Sequence, residues 1–215
     1  MKNILVVKLS AIGDVIHALP VSYAIKETYP DAHLTWVVEP TAYPILEDNP
    51  YIDDIILFEK AKFRSLGGFL HAIGPLRRRL RRRRYDASLD LQGLFKSAAI
   101  VFNARVKRRI GTANMREGAN LVSRPVKGAH AHGHIVERYL DVARALGCRV
   151  DEVRFPVAVS ARDANAAEIV LAREGVPEGR RFIALAIGAN WPNKRWPAEH
   201  FAALSDRLYR AHYIP

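Results

Sequence analysis

The chain has 215 residues, 49% hydrophobic and 26% charged, proportions of folded globular protein that exclude a disordered chain and suffice for one full domain and part of another. A net charge of +11 and a pI near 10.0 point to an anionic partner, with nucleic acid, acidic lipid and a phosphorylated sugar all open. The single cysteine, Cys148, excludes an internal disulfide framework and reads as a small buried residue in a reducing cytosol; no apolar run approaches the roughly 18 residues of a membrane span, and no signal-like cleavage site follows Met1-Lys2-Asn3.

A first strand is predicted over Ile4 to Leu9, followed by the turn Ser10-Ala11-Ile12-Gly13-Asp14 and a helix over Val15 to Tyr29 that Pro30-Asp31 stops. In an open parallel sheet such a strand-to-helix turn lies where ligands bind. A nucleotide-binding turn would carry G-x-G-x-x-G, with glycines for close backbone approach and a helix N-terminus for phosphate. Only Gly13 is present and an acid follows it, so this half of the molecule is not expected to hold the nucleotide. Asp14 has a plain reading, a carboxylate near a helix N-terminus that caps free N–H groups and meets the positive dipole end. Its functional reading is a general base that takes a proton from an acceptor hydroxyl, an easier task when the electrophile is cation-like in the transition state, as in glycosyl transfer.

Further strands are predicted over Leu34 to Glu39, Asp54 to Phe58, Asp86 to Gln92 and Arg108 to Gly111. Between the second and third of these, arginine fills every position from Arg77 to Arg84 except Leu80. Phe69, Ile73, Leu76 and Leu80 follow the spacing of one buried helical stripe, which Gly67-Gly68 and Gly74-Pro75 threaten to break. The run reads as a solvated helix face or as a surface for anionic headgroups; no recognised nucleic-acid motif or interleaved aromatic accompanies it. Asp90-Leu91-Gln92-Gly93-Leu94-Phe95-Lys96 leaves a strand and enters a helix over Leu94 to Ala104. Gln92 and Lys96 read either as a cap and an exposed lysine or as ligands of an anionic sugar at the sheet edge of Asp14. His130, His132 and His134 lack acidic or cysteine partners at ligand spacing, so they lead into a helix over His134 to Leu146 rather than holding a metal.

Near Arg154-Phe155-Pro156-Val157 the pattern restarts with a helix over Ala161 to Glu174, a strand over Phe182 to Ile187 and a helix after Pro197. The organisation is thus a doubly wound α/β domain over 1–155 and the beginning of a second β-α domain over 156–215. About 60 residues is short for such a domain, which usually runs about 100 to 150, so the chain is expected to be part of a longer protein. The loop Gly188-Ala189-Asn190-Trp191-Pro192-Asn193-Lys194-Arg195-Trp196-Pro197 sets two cations beside a helix N-terminus. It reads as a diphosphate site that stabilises charge on a leaving group, or as a solvated basic loop over packed tryptophans. No D-x-D pair is present to hold a divalent ion.

Together K-L-S-A-I-G-D-V-I-H-A-L-P, D-L-Q-G-L-F-K-S-A, H-I-V-E-R and K-R-W-P resemble the ADP-heptose:lipopolysaccharide heptosyltransferases in order and approximate spacing, across nearly the whole chain. The resemblance implies the GT-B arrangement of two Rossmann-like domains, acceptor on the first and ADP-heptose donor on the second, and metal-independent, inverting transfer with no cofactor. It implies the catalytic aspartate at Asp14 and the donor-phosphate lysine at Lys194, with Ala189 and Asn190 also at the donor. These two stand where some members have hydroxyl residues, which suggests backbone-mediated donor contacts. Ser10, Gly13, Gln92, Gly93, Lys96 and Arg116 fall at the acceptor. Gln92-Gly93 and Met115-Arg116-Glu117 look more like heptosyltransferase I, whose acceptor is Kdo on lipid A. Arg116, Gln92 and Lys96 would then face Kdo carboxylates or lipid A phosphates. The arginine run would face the inner membrane from its cytoplasmic side, and no nucleic acid is expected. A heptose acceptor, as in heptosyltransferases II and III, is the related alternative; a basic membrane- or nucleic-acid-binding module without activity is the distant one. The family's donor-contacting D-T-G-x-x-H segment would fall beyond Pro215, so the chain alone is expected to lack transferase activity.

Overall fold

The computed structural model describes residues 1–63, 66–189 and 191–212. Contacts divide the chain into two units, Met1–Ala158 and Val159–Pro215. In the first, six strands form one parallel sheet: β1 (Asn3–Val7), β2 (His33–Val38), β3 (Asp54–Leu57), β4 (Ala87–Asp90), β5 (Arg108–Thr112) and β6 (Arg124–Val126), in the order β3-β2-β1-β4-β5-β6. The order reverses between β1 and β4, the switch point outside which open α/β sheets bind ligands. Helices α1 (Ile12–Thr28), α2 (Leu66–Leu80), α3 (Phe95–Asn103) and α4 (Ile135–Leu146) cover the sheet.

Strand alternation explains the two cores. Ile4 and Val6 join Leu34, Trp36 and Leu89 with α1 and α4 in one cluster. Leu5 and Val7, pointing the other way, join Val37, Ile56, Leu80 and Ile100 in another. A strand buried on both faces reads as a continuous apolar run, as β1 does.

The expected strands and helices of this unit are present with ends shifted by a few residues, as frayed termini commonly are. β6 was not anticipated: Arg124-Pro125-Val126 has no apolar run, and its parallel pairing with β5 at the sheet edge makes it a strand. An edge position tolerates Pro125 because the missing N–H takes nothing from a second neighbour. Helix α2 runs unbroken through Gly67-Gly68 and Gly74-Pro75. It ends at Leu80, so Arg81 to Arg84 lie beyond it, not around one helical stripe. Leu80 is buried and Leu76 packs on the same core; the side chain of Phe69 lies outside the described residues. Arg79 pairs with Asp54 at 2.6 Å and Arg81 donates to the Asn103 carbonyl at 2.9 Å, while Arg77, Arg78, Arg82, Arg83 and Arg84 are exposed.

In the second unit α5 (Ala161–Arg173) is capped by Ser160, whose hydroxyl accepts from the Asp163 N–H at 3.0 Å, and α6 spans Ala198–His212. The strand expected over Phe182 to Ile187 is not formed: among the described residues these pair with no neighbouring strand. An apolar run becomes a strand only when another strand takes its ladder hydrogen bonds.

Two of the histidines before α4, His130 and His134, hold local structure. His134 caps the helix, its Nδ1 accepting from the Val136 N–H at 3.4 Å. Asp141 accepts from the His130 N–H at 2.8 Å and from Arg144 at 2.9 Å, and its other contact is the His130 ring at 3.0 Å. Gly128 lies so close to Asp141 that a Cβ there would clash with it. Burial alone would raise the Asp141 carboxyl, but these bonds outweigh it and hold the group below the usual 3.8. The bonds therefore contribute fully above about pH 3.8, and the contribution fades as pH falls through the depressed folded value. In urea unfolding, Asp141→Asn is expected to cost about 1–3 kcal/mol at pH 7, a deficit that shrinks as pH falls below about 3.8. A deficit constant with pH would refute this role.

Candidate active site

The site lies at the carboxyl ends of β1 and β4. Past β1, Leu9 and Ser10 donate their N–H groups to the Gln92 Oε1 at 3.1 and 3.3 Å. The Gln92 side chain therefore stitches the β1 turn to the β4 turn. Asp90, fully buried, braces the β4 turn. Its Oδ1 accepts from the Gln92 and Gly93 N–H groups at 3.1 and 2.8 Å, and its Oδ2 from the Ser97 hydroxyl at 3.0 Å. Burial pushes the Asp90 carboxyl above its ordinary value, and these bonds only partly offset the push. Gly93 adopts φ 67° and packs against Met115 and Thr112, so both backbone conformation and space call for glycine there.

Asp14 stands in the first turn of α1, where its carboxylate accepts the Ala11 N–H at 3.3 Å. The plain capping role is thus real, but the side chain is still 49% exposed. Gly13 beside it opens onto free space, which leaves the turn bare. The Lys8 ammonium lies 3.7 Å from the Asp14 Oδ2 with its side chain only 4% exposed, and 5.3 Å above the Tyr139 ring. Burial lowers the Lys8 pKa; the charge of Asp14 and a hydrogen bond to it act the other way, as does Asp90. Burial and the negative charge of Asp14 both push the Tyr139 hydroxyl up.

A cleft of about 740 Å³ opens over these groups, with Lys8, Asp14, Gln92, Arg116, Arg138 and Tyr139 on its walls. The Nε of Arg138 is buried without a hydrogen-bond partner among the described residues. Such a group is costly to bury unless something binds it. The cleft therefore presents one half-exposed carboxylate among three cations, a setting for an anionic molecule that offers a hydroxyl to a base.

The expected catalytic residue Asp14 and the expected acceptor residues Gln92 and Arg116 share this cleft. Ser10 and Gly93 bond to its lining through the backbone, Ser10 by donating its N–H to Gln92 and Gly93 by accepting the Arg116 N–H at 2.8 Å. Lys96 is not on the walls of this cleft; with Lys60 it lines a separate hollow. Sequence reasoning missed Lys8, Arg138 and Tyr139 as cleft residues. Lys8 looked like part of a strand-end motif, and the α4 pair carries no spacing signal toward Asp14.

In the second unit Lys194 closes the short 3-10 turn Pro192–Lys194 and is exposed. Arg195 donates from Nε to the Ala189 carbonyl at 2.7 Å, so this cation closes its own loop. Trp196 stacks on His200 with centroids 5.2 Å apart and meets Phe201 edge-on. Pro197 precedes α6, its carbonyl accepting the His200 N–H. Asn190 lies outside the described residues.

The model of glycosyltransferase family 9 (heptosyltransferase) matches residues 73–214. Lipopolysaccharide heptosyltransferase 1 of Pseudomonas aeruginosa is 29% identical, over 96% of this chain and 58% of that protein. Lipopolysaccharide heptosyltransferase 2 of Salmonella typhimurium is also 29% identical, over 98% and 61%. Among solved structures, E. coli heptosyltransferase WaaC with ADP-2-deoxy-2-fluoro heptose superposes with a TM-score of 0.74 at 25% identity, covering 97% of this chain and 66% of that one. The chain spans 56% to 61% of the length of the first curated relatives it matches.

Proposed function

Because the chain belongs to glycosyltransferase family 9, the heptosyltransferases, we propose that it carries the acceptor site and base of a lipopolysaccharide heptosyltransferase. The reaction is inverting transfer of L-glycero-D-manno-heptose from ADP-heptose to Kdo of Kdo-lipid A. The observation that carries this is the half-exposed Asp14 carboxylate set in a cleft with Lys8, Arg116 and Arg138. A sugar acid such as Kdo offers both parts such a cleft needs, a carboxylate for the guanidinium groups and a hydroxyl for the base.

The acceptor oxygen attacks the heptose anomeric carbon from the face opposite ADP, and its proton passes to Asp14. The bond from that carbon to the diphosphate breaks, and ADP departs with the bonding electrons. Lys194 meets the charge that builds on the leaving phosphate, with backbone at Ala189 and Asn190 at the donor. Lys8 holds Asp14 in place, and Arg116 and Arg138 fix the acceptor carboxylate. The exposed arginines from Arg77 to Arg84 face the anionic inner leaflet, each contributing about 1 kcal/mol. No helix among the described residues is long and apolar enough to cross a membrane.

The test is transfer from ADP-heptose by a protein of the relatives' length containing this chain, offered Kdo-lipid A and a heptose-terminated acceptor, with the product anomer read by NMR. Preference for Kdo-lipid A with inversion is expected; preference for the heptose-terminated acceptor would move the assignment to the heptosyltransferase II and III type. Lys194→Ala is expected to weaken donor binding about tenfold to a hundredfold, the loss of a charge-assisted hydrogen bond, and to slow transfer. Unchanged kinetics would reject the phosphate role.

A further inference from the structure

A second hollow of about 350 Å³ is walled chiefly by Phe58, Phe63, Leu76 and Phe95, with Lys60 and Lys96 also in its lining. Phe58 and Phe63 stack with centroids 4.9 Å apart, whereas Phe95 stands 66% exposed although nothing about a helix start requires an aromatic there. Burial and the neighbouring Lys60 ammonium push the Lys96 pKa down, while Glu39 and Glu117 act weakly the other way. Among the described residues neither ammonium has a carboxylate within ion-pair distance. Two adjacent cations beside an apolar well form a pattern for one kind of ligand, an anionic head on a hydrocarbon chain.

The position of the hollow ties it to the cleft. Gln92 and Leu94 line the cleft of Asp14, and Phe95 and Lys96, next along the same turn, line the hollow. We infer that the hollow binds an acyl chain of the anionic acceptor lipid, with Lys60 and Lys96 holding an acidic group at the head of that chain. The inference deepens the reading of Asp14 as the acceptor base and rests on it for the identity of the lipid. It also gives Lys96 a role at the acceptor's lipid end and not at its sugar.

The experiment is calorimetric titration of this chain with dodecyl phosphate below its micelle concentration, beside dodecyl maltoside and inorganic phosphate. Saturable one-to-one binding of dodecyl phosphate is expected, about tenfold or more tighter than the neutral amphiphile. Shortening the chain by two methylenes should weaken it about tenfold. Ala99→Trp, which fills the hollow, should abolish binding with the circular dichroism unchanged. Phe95→Ser, at an exposed site that folding does not depend on, should weaken it even if the tryptophan variant misfolds. Equal affinity for the neutral amphiphile, equal affinity for inorganic phosphate, no saturation, or indifference to Phe95→Ser would each overturn the inference. Wild-type turnover of a deacylated acceptor reports on the transferase reading separately: transfer without amphiphile binding sinks the hollow alone, and amphiphile binding without transfer sinks the transferase alone.

Discussion

Asp14→Asn, in a transferase of the relatives' length containing this chain, is expected to lower kcat by about a hundredfold to ten-thousandfold, the contribution of a positioned general base. Asparagine keeps the shape of the side chain and the acceptor oxygen that takes the Ala11 N–H at 3.3 Å. It loses only the capacity to receive a proton and the attraction to Lys8. Donor binding, which the proposal assigns to the second unit, should stay within about twofold, and the acceptor KM should change little. If Asp14 served only as the first-turn acid of α1, the substitution would cost at most about 1 kcal/mol of stability and leave turnover intact. Measuring kcat and the thermal midpoint together separates the two roles: wild-type kcat with a lowered midpoint would sink the catalytic assignment.

The second large effect is expected at Asp90, which no ligand reaches. Asp90→Ala strips the acceptor from the Gln92 and Gly93 N–H groups, while the Ser97 hydroxyl loses Asp90 and keeps the Leu94 carbonyl at 2.8 Å. The loss of these bonds, with the buried groups left unsatisfied, is expected to cost about 3–5 kcal/mol, a large part of the 5–15 kcal/mol by which a domain is usually stable. Asp90→Asn keeps an oxygen for the two backbone donors and brings an amide that can donate to the Ser97 oxygen. Its cost should be about 1 kcal/mol or less. Burial raises the Asp90 carboxyl, and a neutral amide escapes the desolvation that a buried carboxylate bears. Urea unfolding of both variants checks this. Similar losses for alanine and asparagine would show that the bracing role is wrong. Because Gln92 in turn holds the Leu9 and Ser10 N–H groups, an Asp90→Ala protein that still folds should also lose affinity for acceptor.

The first unit's β-α order was legible because each buried strand is an apolar run and each helix has its own stop, Pro30 after α1 and Gly147, at φ 105°, after α4. These signals are local in the chain. β6 escaped because its strand character comes from β5 and not from its own residues, and Phe182 to Ile187 misled for the converse reason. Helix α2 survived its glycines and Pro75 because Leu76 and Leu80 bury against the sheet, and tertiary packing outweighs weak local propensity.

By itself the sequence determined the class of the fold, the placing of Asp14 on the first turn and of Gln92 and Gly93 on the fourth strand's turn, and the family likeness in the motifs. Tertiary structure alone decided which side chains meet. The pairing of β1 with β4 brings Gln92 onto Leu9 and Ser10 and uses its oxygen for the fold. The docking of α4 beside α1 carries Arg138 and Tyr139 to Lys8 and Asp14, and the start of α3 puts Lys96 in a separate hollow with Lys60. Periodicity reports which face of an element is buried, whereas convergence depends on sheet order and helix packing between residues far apart in the chain, and no local spacing records that.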